Sequence, residues 1–154
     1  MTDTAATPIV YVDANPFIYF IDGAENVASR VRPFFELLAS KPGTAATSEL
    51  TLAEVLAKAR PDTRRGFLNL IIWSKLIQLQ PITRDILIDT ADYRRVIRPD
   101  IKKVALPDAI HIVTAIQTRC RIFLSADEGL RVPADMMLLR PNETDLVRLT
   151  QELA

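Results

Sequence analysis

The chain has 154 residues, 49% of them hydrophobic, which is enough for one well-packed core and short for two domains. Nineteen basic and nineteen acidic side chains give a formal net charge of zero, which excludes a whole-molecule attraction to nucleic acid and makes any such binding local. The single cysteine, Cys120, excludes an internal disulfide and is typical of a reducing compartment. We expect its thiol to be buried and unreactive.

The start of the chain and its apolar runs argue against a membrane location. Residues 1–7 are small and polar and lack the cationic start and apolar centre of a signal peptide. No uncharged apolar run approaches the roughly 20 residues that are needed to span a bilayer. We therefore expect a cytoplasmic protein with no membrane partner, folded as one domain over residues 1–154 with a core at about 9–140.

Strand and helix patterns alternate along the first half of the chain. Residues 9–12 form an apolar run typical of a strand, and Asn15 with Pro16 has the cap and first-turn chemistry of a helix start. A helix is predicted over 26–39, bent or divided by Pro33. The next predicted elements are a short strand at 44–48, a helix at 49–60 that Pro61 stops, and a helical stretch at 64–76.

The second half continues the alternation. Residues 77–82 alternate as a strand does, and residues 84–97 are predicted as a helix that ends before Pro99. The helix predicted at 106–119 is apolar nearly all round and is therefore expected to be buried. The last predicted elements are strands at 121–127 and 136–141 and a helix at 142–153. Strands alternating with helices imply a mainly parallel sheet covered on both faces.

Four acids break this pattern. Asp13 follows the first strand and Asp127 ends the strand at 121–127, whereas Glu54 and Asp108 lie on helices with apolar surroundings. Ligands of parallel sheets bind beyond the carboxyl ends of the strands, so we expect the four carboxylates to converge there. Two of them also have ordinary explanations, since Asp108 suits the first turn of a helix and Glu54 could pair with Lys58 four residues on.

If these carboxylates converge, the repulsion between their negative charges must be offset. Two of them ~4 Å apart repel by ~4 kcal/mol at an effective dielectric of ~20. A shared proton or a divalent cation would offset that repulsion. Oxygen ligands without cysteine and with one histidine favour Mg²⁺ or Mn²⁺ over Zn²⁺. Such an ion can present a water as a nucleophile and neutralise charge that develops on a phosphate.

Four acidic blocks of the chain resemble, in order and spacing, those of PIN-domain nucleases, and most closely those of the VapC-like ribonuclease toxins of prokaryotic toxin–antitoxin pairs. The blocks are YVDANPFIYF, TSELTLAEVL, LPDAIHIVTAI and IFLSADEGL. The resemblance implies an α/β fold, a three-layer α/β/α sandwich with a central, mainly parallel sheet and an acidic cleft that holds Mg²⁺ or Mn²⁺. It also implies endonucleolytic hydrolysis of RNA, a cognate antitoxin protein and a homodimer.

The resemblance also implies roles for individual residues. The acids that correspond to the catalytic positions are Asp13, Glu54, Asp108 and Asp127. Three of these, Asp13, Asp108 and Asp127, correspond to metal-binding positions. Asn15 corresponds to the polar residue that steadies the first acid, and Ser125 to the hydroxyl two places before the last. Ala14 departs from the Ser or Thr usual after the first acid, which removes a possible hydrogen bond but no metal ligand.

Histidine and the cations are less specific signals. His111 lies three residues after Asp108 on the same helix face and could support that acid, but we favour a histidine satisfied by a neighbouring acid or carbonyl and leave it out of the catalytic set. Two basic clusters could follow an RNA backbone past the cleft, although a solvated helix face is the more common meaning of such charges. The first cluster is Lys58, Arg60, Arg64 and Arg65, and the second is Arg94, Arg95, Arg98, Lys102 and Lys103.

Two further interpretations stay open. The apolar stretch around Trp73 is expected in the core, with a homodimer face or a groove for an antitoxin helix as the alternative. The main functional alternative is a catalytically inactive PIN-like module that binds RNA or protein, and the complete set of four acids argues against it. Haloacid dehalogenase-like phosphatases need a second Asp where this chain has Asn15.

Overall fold

Five short parallel strands form the centre of the protein in the computed structural model, which describes residues 7–96 and 104–154. The strands are Val10–Val12 (β1), Ala45–Ser48 (β2), Ile77–Gln80 (β3), Ile122–Leu124 (β4) and Met137–Leu139 (β5). Their order across the sheet is β3-β2-β1-β4-β5, and every neighbouring pair is parallel. All five predicted strands are therefore present, each shorter than its sequence pattern by one to four residues.

Seven α-helices connect and cover these strands in the described part of the chain. They are Ala14–Asp22 (α1), Glu25–Ser40 (α2), Leu50–Lys58 (α3), Arg64–Leu68 (α4), Arg84–Val96 (α5), Leu106–Gln117 (α6) and Glu143–Leu153 (α7). The predicted end of the helix at residue 97 and the cations Arg98, Lys102 and Lys103 lie outside the described residues. None of the described helices is long and apolar enough to cross a membrane.

The structure corrects one predicted detail, the cap of the first helix, and refines two others. The first helix begins at Ala14 and is capped by Asp13 instead of Asn15, because the Asp13 carboxylate accepts the hydrogen of the Ala14 N–H. Helix α2 runs through Pro33 as one element. After α4, the chain forms a π-helical segment at Asn69–Trp73, in which the Ser74 N–H donates to the Asn69 carbonyl oxygen, five residues back, at 2.7 Å.

Alternation along β1 divides the core between the two faces of the sheet. Val10 and Val12 face a core shared with Phe17 of α1 and Phe34 of α2. Tyr11 points to the opposite face and packs in a second core, which it shares with Ala46, Phe123 and, from α6, Ile112 and Ala115. Helices therefore cover both faces, and the predicted three-layer α/β/α fold with a parallel sheet is confirmed.

The strand register brings the site residues to one edge of the sheet. Val12 is opposite Leu124, and the Asp13 N–H donates to the Leu124 carbonyl oxygen at 3.0 Å. The residues that follow β1 and β4 consequently leave the sheet side by side. The same edge receives the carboxyl end of β2, where Ser48 leads into α3.

Candidate active site

Asp13 stands immediately after β1 and is 8% exposed. Its Oδ1 accepts the Ala14 N–H at 2.7 Å, and its Oδ2 accepts the Ser125 hydroxyl at 2.7 Å. Hydrogen bonds from fixed donors hold the orientation of a carboxylate. The first predicted acid is therefore anchored from both oxygens.

Ser125 and Asn15 connect the first acidic block to the last. Besides donating to Asp13, the Ser125 hydroxyl accepts the Asp127 N–H at 3.1 Å. The Asn15 side-chain oxygen accepts the Ala126 N–H at 3.1 Å. Asn15 therefore supports the loop after β4, whereas the sequence led us to expect its support at Asp13 itself.

A guanidinium that our sequence analysis overlooked holds the loop that carries Asp127. Arg140, directly after β5, donates from Nη1 to the Ser125 carbonyl oxygen at 3.2 Å and to the Asp127 carbonyl oxygen. Its Nη2 lies 3.5 Å from the Glu128 carbonyl oxygen. These contacts fix the loop backbone because a planar guanidinium carries several donors in a rigid arrangement. The sequence offered no signal beyond one Arg at the end of a strand.

Glu54 projects from α3, and its side-chain hydrogen-bond partner is His111. Glu54 Oε1 lies 2.5 Å from His111 Nε2. Lys58 forms no ion pair with any described residue, so the explanation of Glu54 as half of an exposed Glu–Lys pair is wrong. Glu54 instead points toward the first acid, because His111 Nε2 is also 3.6 Å from Asp13 Oδ1.

His111 is the site residue that sequence reasoning set aside. It is 2% exposed, and its Nδ1 lies 2.5 Å from the hydroxyl oxygen of Tyr11. Atoms able to bind a metal on Asp13, Glu54 and His111 all lie within 4.8 Å of one another. The available signal was its spacing of one helical turn from Asp108, which places both side chains on the same face of α6.

Asp108 is half-buried in the first turn of α6, and the charges of the other three predicted acids change its pKa. Burial raises the pKa of its carboxyl from the usual 3.8, and the charges of Asp127, Asp13 and Glu54 raise it further, while His111 lowers it. The pKa of Tyr11 is raised well above its usual 10.0 by burial and then by the charge of Asp13. The structure thus places the four predicted acids at one edge of the sheet.

The four cations proposed as an RNA path are all exposed. Arg60 is shared between acids, with Nη2 3.5 Å from Asp22 Oδ1 and Nε 3.6 Å from Asp62 Oδ1. The other three cations, Lys58, Arg64 and Arg65, make no ion pair with the described residues. Lys58 is one helical turn beyond Glu54 on α3.

Fold and site together define an α/β protein with a cluster of acidic side chains at the carboxyl edge of a parallel sheet. The sequence pattern of the PIN domain matches residues 10–135, so the chain belongs to the PIN domain family. The resemblance predicted from the four acidic blocks is confirmed by this match. No curated protein matches the chain.

Several solved structures have a similar fold. VapBC2 from Rickettsia felis, bound to a DNA fragment from its promoter, has a TM-score of 0.65 at 17% identity, covering 86% of this chain and 98% of that one. FitAcB from Neisseria gonorrhoeae has a TM-score of 0.65 at 18% identity, with the same coverage of 86% and 98%. Mycobacterium tuberculosis VapC20, described as a sarcin–ricin loop cleaving toxin, has a TM-score of 0.58 at 15% identity, covering 74% and 86%. At these identities the similarity establishes the fold.

Proposed function

We propose that the protein is a metal-dependent endoribonuclease that acts as the cytoplasmic toxin of a toxin–antitoxin pair. The observation that carries the proposal is the gathering of four acids at the carboxyl edge of the sheet, where Ser125 links Asp13 to the backbone of Asp127 and where burial, followed by the charges of the other three acids, raises the pKa of Asp108. Membership of the PIN domain family and the sarcin–ricin loop cleaving activity attributed to VapC20 support the same reaction class.

The donor set fits a hard divalent cation. Asp13, Asp108 and Asp127 would hold Mg²⁺ or Mn²⁺, because carboxylate oxygens are the ligands these ions prefer. Burial raises the pKa of Asp108 most, and the charges of Asp127, Asp13 and Glu54 raise it further; a cation would offset the part that comes from these charges. When bound, such an ion lowers the pKa of a water molecule and offsets charge on a phosphate undergoing in-line displacement.

The residues of the chain have separate tasks in this proposal. Asp13 is held at both oxygens, so its orientation is set before any ligand arrives. Glu54 accepts the proton that the attacking water releases, or completes the metal shell. Ser125 and Asn15 keep the loop of Asp127 beside Asp13 through the hydrogen bonds described above.

Cleavage of mixed cellular RNA tests the proposal. Purified protein is incubated with and without Mg²⁺ or Mn²⁺, or with EDTA, and the cut ends are mapped by sequencing. We expect cleavage only with the metal ion. Asp13→Asn should abolish it while the circular dichroism spectrum stays unchanged, and the matched control Asp92→Asn, an exposed acid of α5, should cut at the wild-type rate.

Undiminished cleavage by Asp13→Asn would contradict the assignment of Asp13 to the active site. Absence of cleavage by the wild-type protein, with retained RNA binding, would instead favour the inactive binding module. A magnesium titration also distinguishes a nuclease from an inactive binding module. The nuclease should bind Mg²⁺ saturably, whereas a module that has lost its metal site should not.

We further propose a protein antitoxin and a homodimer as assembly partners. The antitoxin is supported by the toxin–antitoxin complexes among similar structures, such as the one from Klebsiella pneumoniae, at 21% identity and a TM-score of 0.62 over 87% of this chain and 98% of that one. Leu70 and Ile71 are buried as expected, but Trp73 is 54% exposed, so its expected burial in the core is wrong; its exposure supports the alternative of a protein interface.

The single tryptophan makes the assembly testable. Multi-angle light scattering gives the oligomeric state of the isolated chain, and co-expression with the product of the adjacent gene tests antitoxin binding. Because Trp73 is the only tryptophan, acrylamide quenching of its fluorescence should fall when either partner covers it. Unchanged quenching in a stable complex would place the interface elsewhere.

A further inference from the structure

A chain of hydrogen bonds runs from the backbone of β2 to the Glu54 carboxylate. The Ser48 N–H donates to the Tyr11 hydroxyl oxygen at 3.1 Å, and that oxygen lies 2.5 Å from His111 Nδ1. His111 Nε2 lies 2.5 Å from Glu54 Oε1. We propose that Tyr11 fixes His111 as the tautomer protonated on Nε2, so that His111 donates to Glu54 and acts as a positioning residue for it instead of a metal ligand.

The Glu54 side of the ring requires a proton on Nε2. An ionised carboxylate is an acceptor only, so a contact of 2.5 Å with a ring nitrogen needs the hydrogen to come from that nitrogen. Asp13 Oδ1, at 3.6 Å from the same nitrogen, places a second negative charge on that side of the ring. Two carboxylates facing one nitrogen favour its N–H form over its lone pair.

The Tyr11 side of the ring selects the same tautomer. One lone pair of the Tyr11 oxygen is used by the Ser48 N–H, and the phenol at neutral pH still carries its own hydrogen. Tyr11 is 0% exposed, so that hydrogen cannot be donated to bulk water. His111 Nδ1 is the acceptor within 2.5 Å, and a nitrogen that accepts this hydrogen bond carries no proton.

The tautomer of His111 decides whether its Nε2 can bind a metal ion. Asp13, Glu54 and His111 have the spacing of a mixed metal site, with ligand atoms within 4.8 Å of one another. A protonated Nε2 has no lone pair for a metal, so the ligand set is all oxygen. The imidazole instead links Glu54 of α3 to Tyr11 of β1 and holds the carboxylate beside Asp13. The importance of that position for catalysis rests on the proposed nuclease function.

Nuclear magnetic resonance can read the tautomer without substrate. His111 is the only histidine, so protein labelled with ¹⁵N in the histidine ring gives the signals of this residue alone. In EDTA and again with Mg²⁺, we expect a proton directly bonded to Nε2 and none on Nδ1. Tyr11→Phe should move the Nδ1 resonance toward that of an imine nitrogen without a hydrogen bond. A proton on Nδ1, or loss of the Nε2 proton on adding Mg²⁺, would overturn the proposal.

Cleavage kinetics test the positioning role. His111→Gln keeps an N–H donor near the Nε2 position, whereas His111→Leu keeps volume and removes the donor. We expect kcat to fall by about 100-fold in the Leu variant and by less than about tenfold in the Gln variant, with the KM for RNA unchanged in both. Equal kcat values for the two folded variants would overturn the role. Absence of cleavage by the wild type would remove the nuclease function and the positioning role together, while the NMR result would still decide the tautomer.

Discussion

The hydroxyl of Ser125 donates a hydrogen bond of 2.7 Å to Oδ2 of Asp13, from 112 residues away in the sequence. The two residues meet because β1 and β4 are adjacent in the sheet with Val12 opposite Leu124. The same hydroxyl accepts the Asp127 N–H at 3.1 Å. One side-chain oxygen therefore connects the first acid of the site to the last.

Ser125→Ala should destabilise the protein and weaken its metal binding. The substitution leaves the Asp127 N–H and one oxygen of Asp13 without their partner, and an unsatisfied buried polar group costs about 1–3 kcal/mol. Urea denaturation should show a loss of this size in the free energy of unfolding. Ser29→Ala, at an exposed position of α2, should change stability by less than about 0.5 kcal/mol. Equal free energies of unfolding for the two variants would mean that the hydrogen bonds of the Ser125 hydroxyl do not contribute to stability.

Asp108→Asn should stabilise the metal-free protein at neutral pH. The pKa of Asp108 is raised in the folded state, first by burial and then by the neighbouring acids. A raised pKa means that folding is fully favoured when the carboxyl is protonated and loses stability as pH rises through the folded-state pKa. The gain from Asp108→Asn should therefore be present at pH 7 and vanish as pH falls below the ordinary value of 3.8.

Thermal unfolding in EDTA between pH 3 and pH 7 measures this effect of Asp108→Asn. Added Mg²⁺ provides the control, because a ligand that binds the folded state alone stabilises it. Mg²⁺ should raise the melting temperature of the wild type and have a smaller effect on the variant. A pH-independent difference between variant and wild type in EDTA would show that the ionisation of Asp108 is not the cause of that difference.

Arg140→Ala should slow cleavage by displacing Asp127. The guanidinium donates to the carbonyl oxygens of Ser125 and Asp127, and its loss frees the loop that carries the last acid. A shift of about 1 Å in such a group costs up to about 100-fold in rate, and Arg140→Lys should recover little because an ammonium does not reproduce the planar set of donors. The matched control is Arg131→Ala, an exposed cation of the segment between Asp127 and β5, which should cleave at the wild-type rate.

Cys120 should be nearly inert toward thiol reagents in the folded protein. Burial raises the pKa of its thiol from 9.0 to about 11, so at pH 8 it has about 100-fold less thiolate than a free cysteine. The contribution of the protonated thiol to stability is complete below pH 9 and is lost as pH rises through about 11. Reaction with a chromogenic disulfide should be slow in buffer and immediate in urea, and equal rates would contradict burial.

The sheet and its acidic edge could be predicted because they depend on local patterns. Short apolar runs between helical segments identify parallel strands, and parallel strands bring the acids that follow them to a common edge. Asp13 and Asp127 are therefore visible in the sequence. Glu54 and Asp108 needed a second signal, which came from their apolar surroundings and from the resemblance to a known family.

The parts that could not be predicted depend on contacts between distant elements. The contact between His111 and Glu54 joins α6 to α3, and that of Arg140 joins the end of β5 to the loop after β4, so neither leaves a local signal. Trp73 was expected in the core because its neighbours are apolar. The π-helical segment adds a residue to the turn, which buries Leu70 and Ile71 and leaves Trp73 outside.

Replacing Arg64 and Arg65 together by Ala should weaken RNA binding and reduce its salt dependence. Both side chains are exposed at the start of α4 and make no ion pair with described residues, so they are free to contact phosphates. Each lost phosphate contact should reduce the slope of log K against log salt by about 0.7 for a single strand. Binding is measured by fluorescence anisotropy in the Asp13→Asn background, with Arg30 and Arg148 replaced by Ala as the matched control. An unchanged slope would mean that these cations belong to a solvated helix face and that the RNA backbone passes the acidic site by another route.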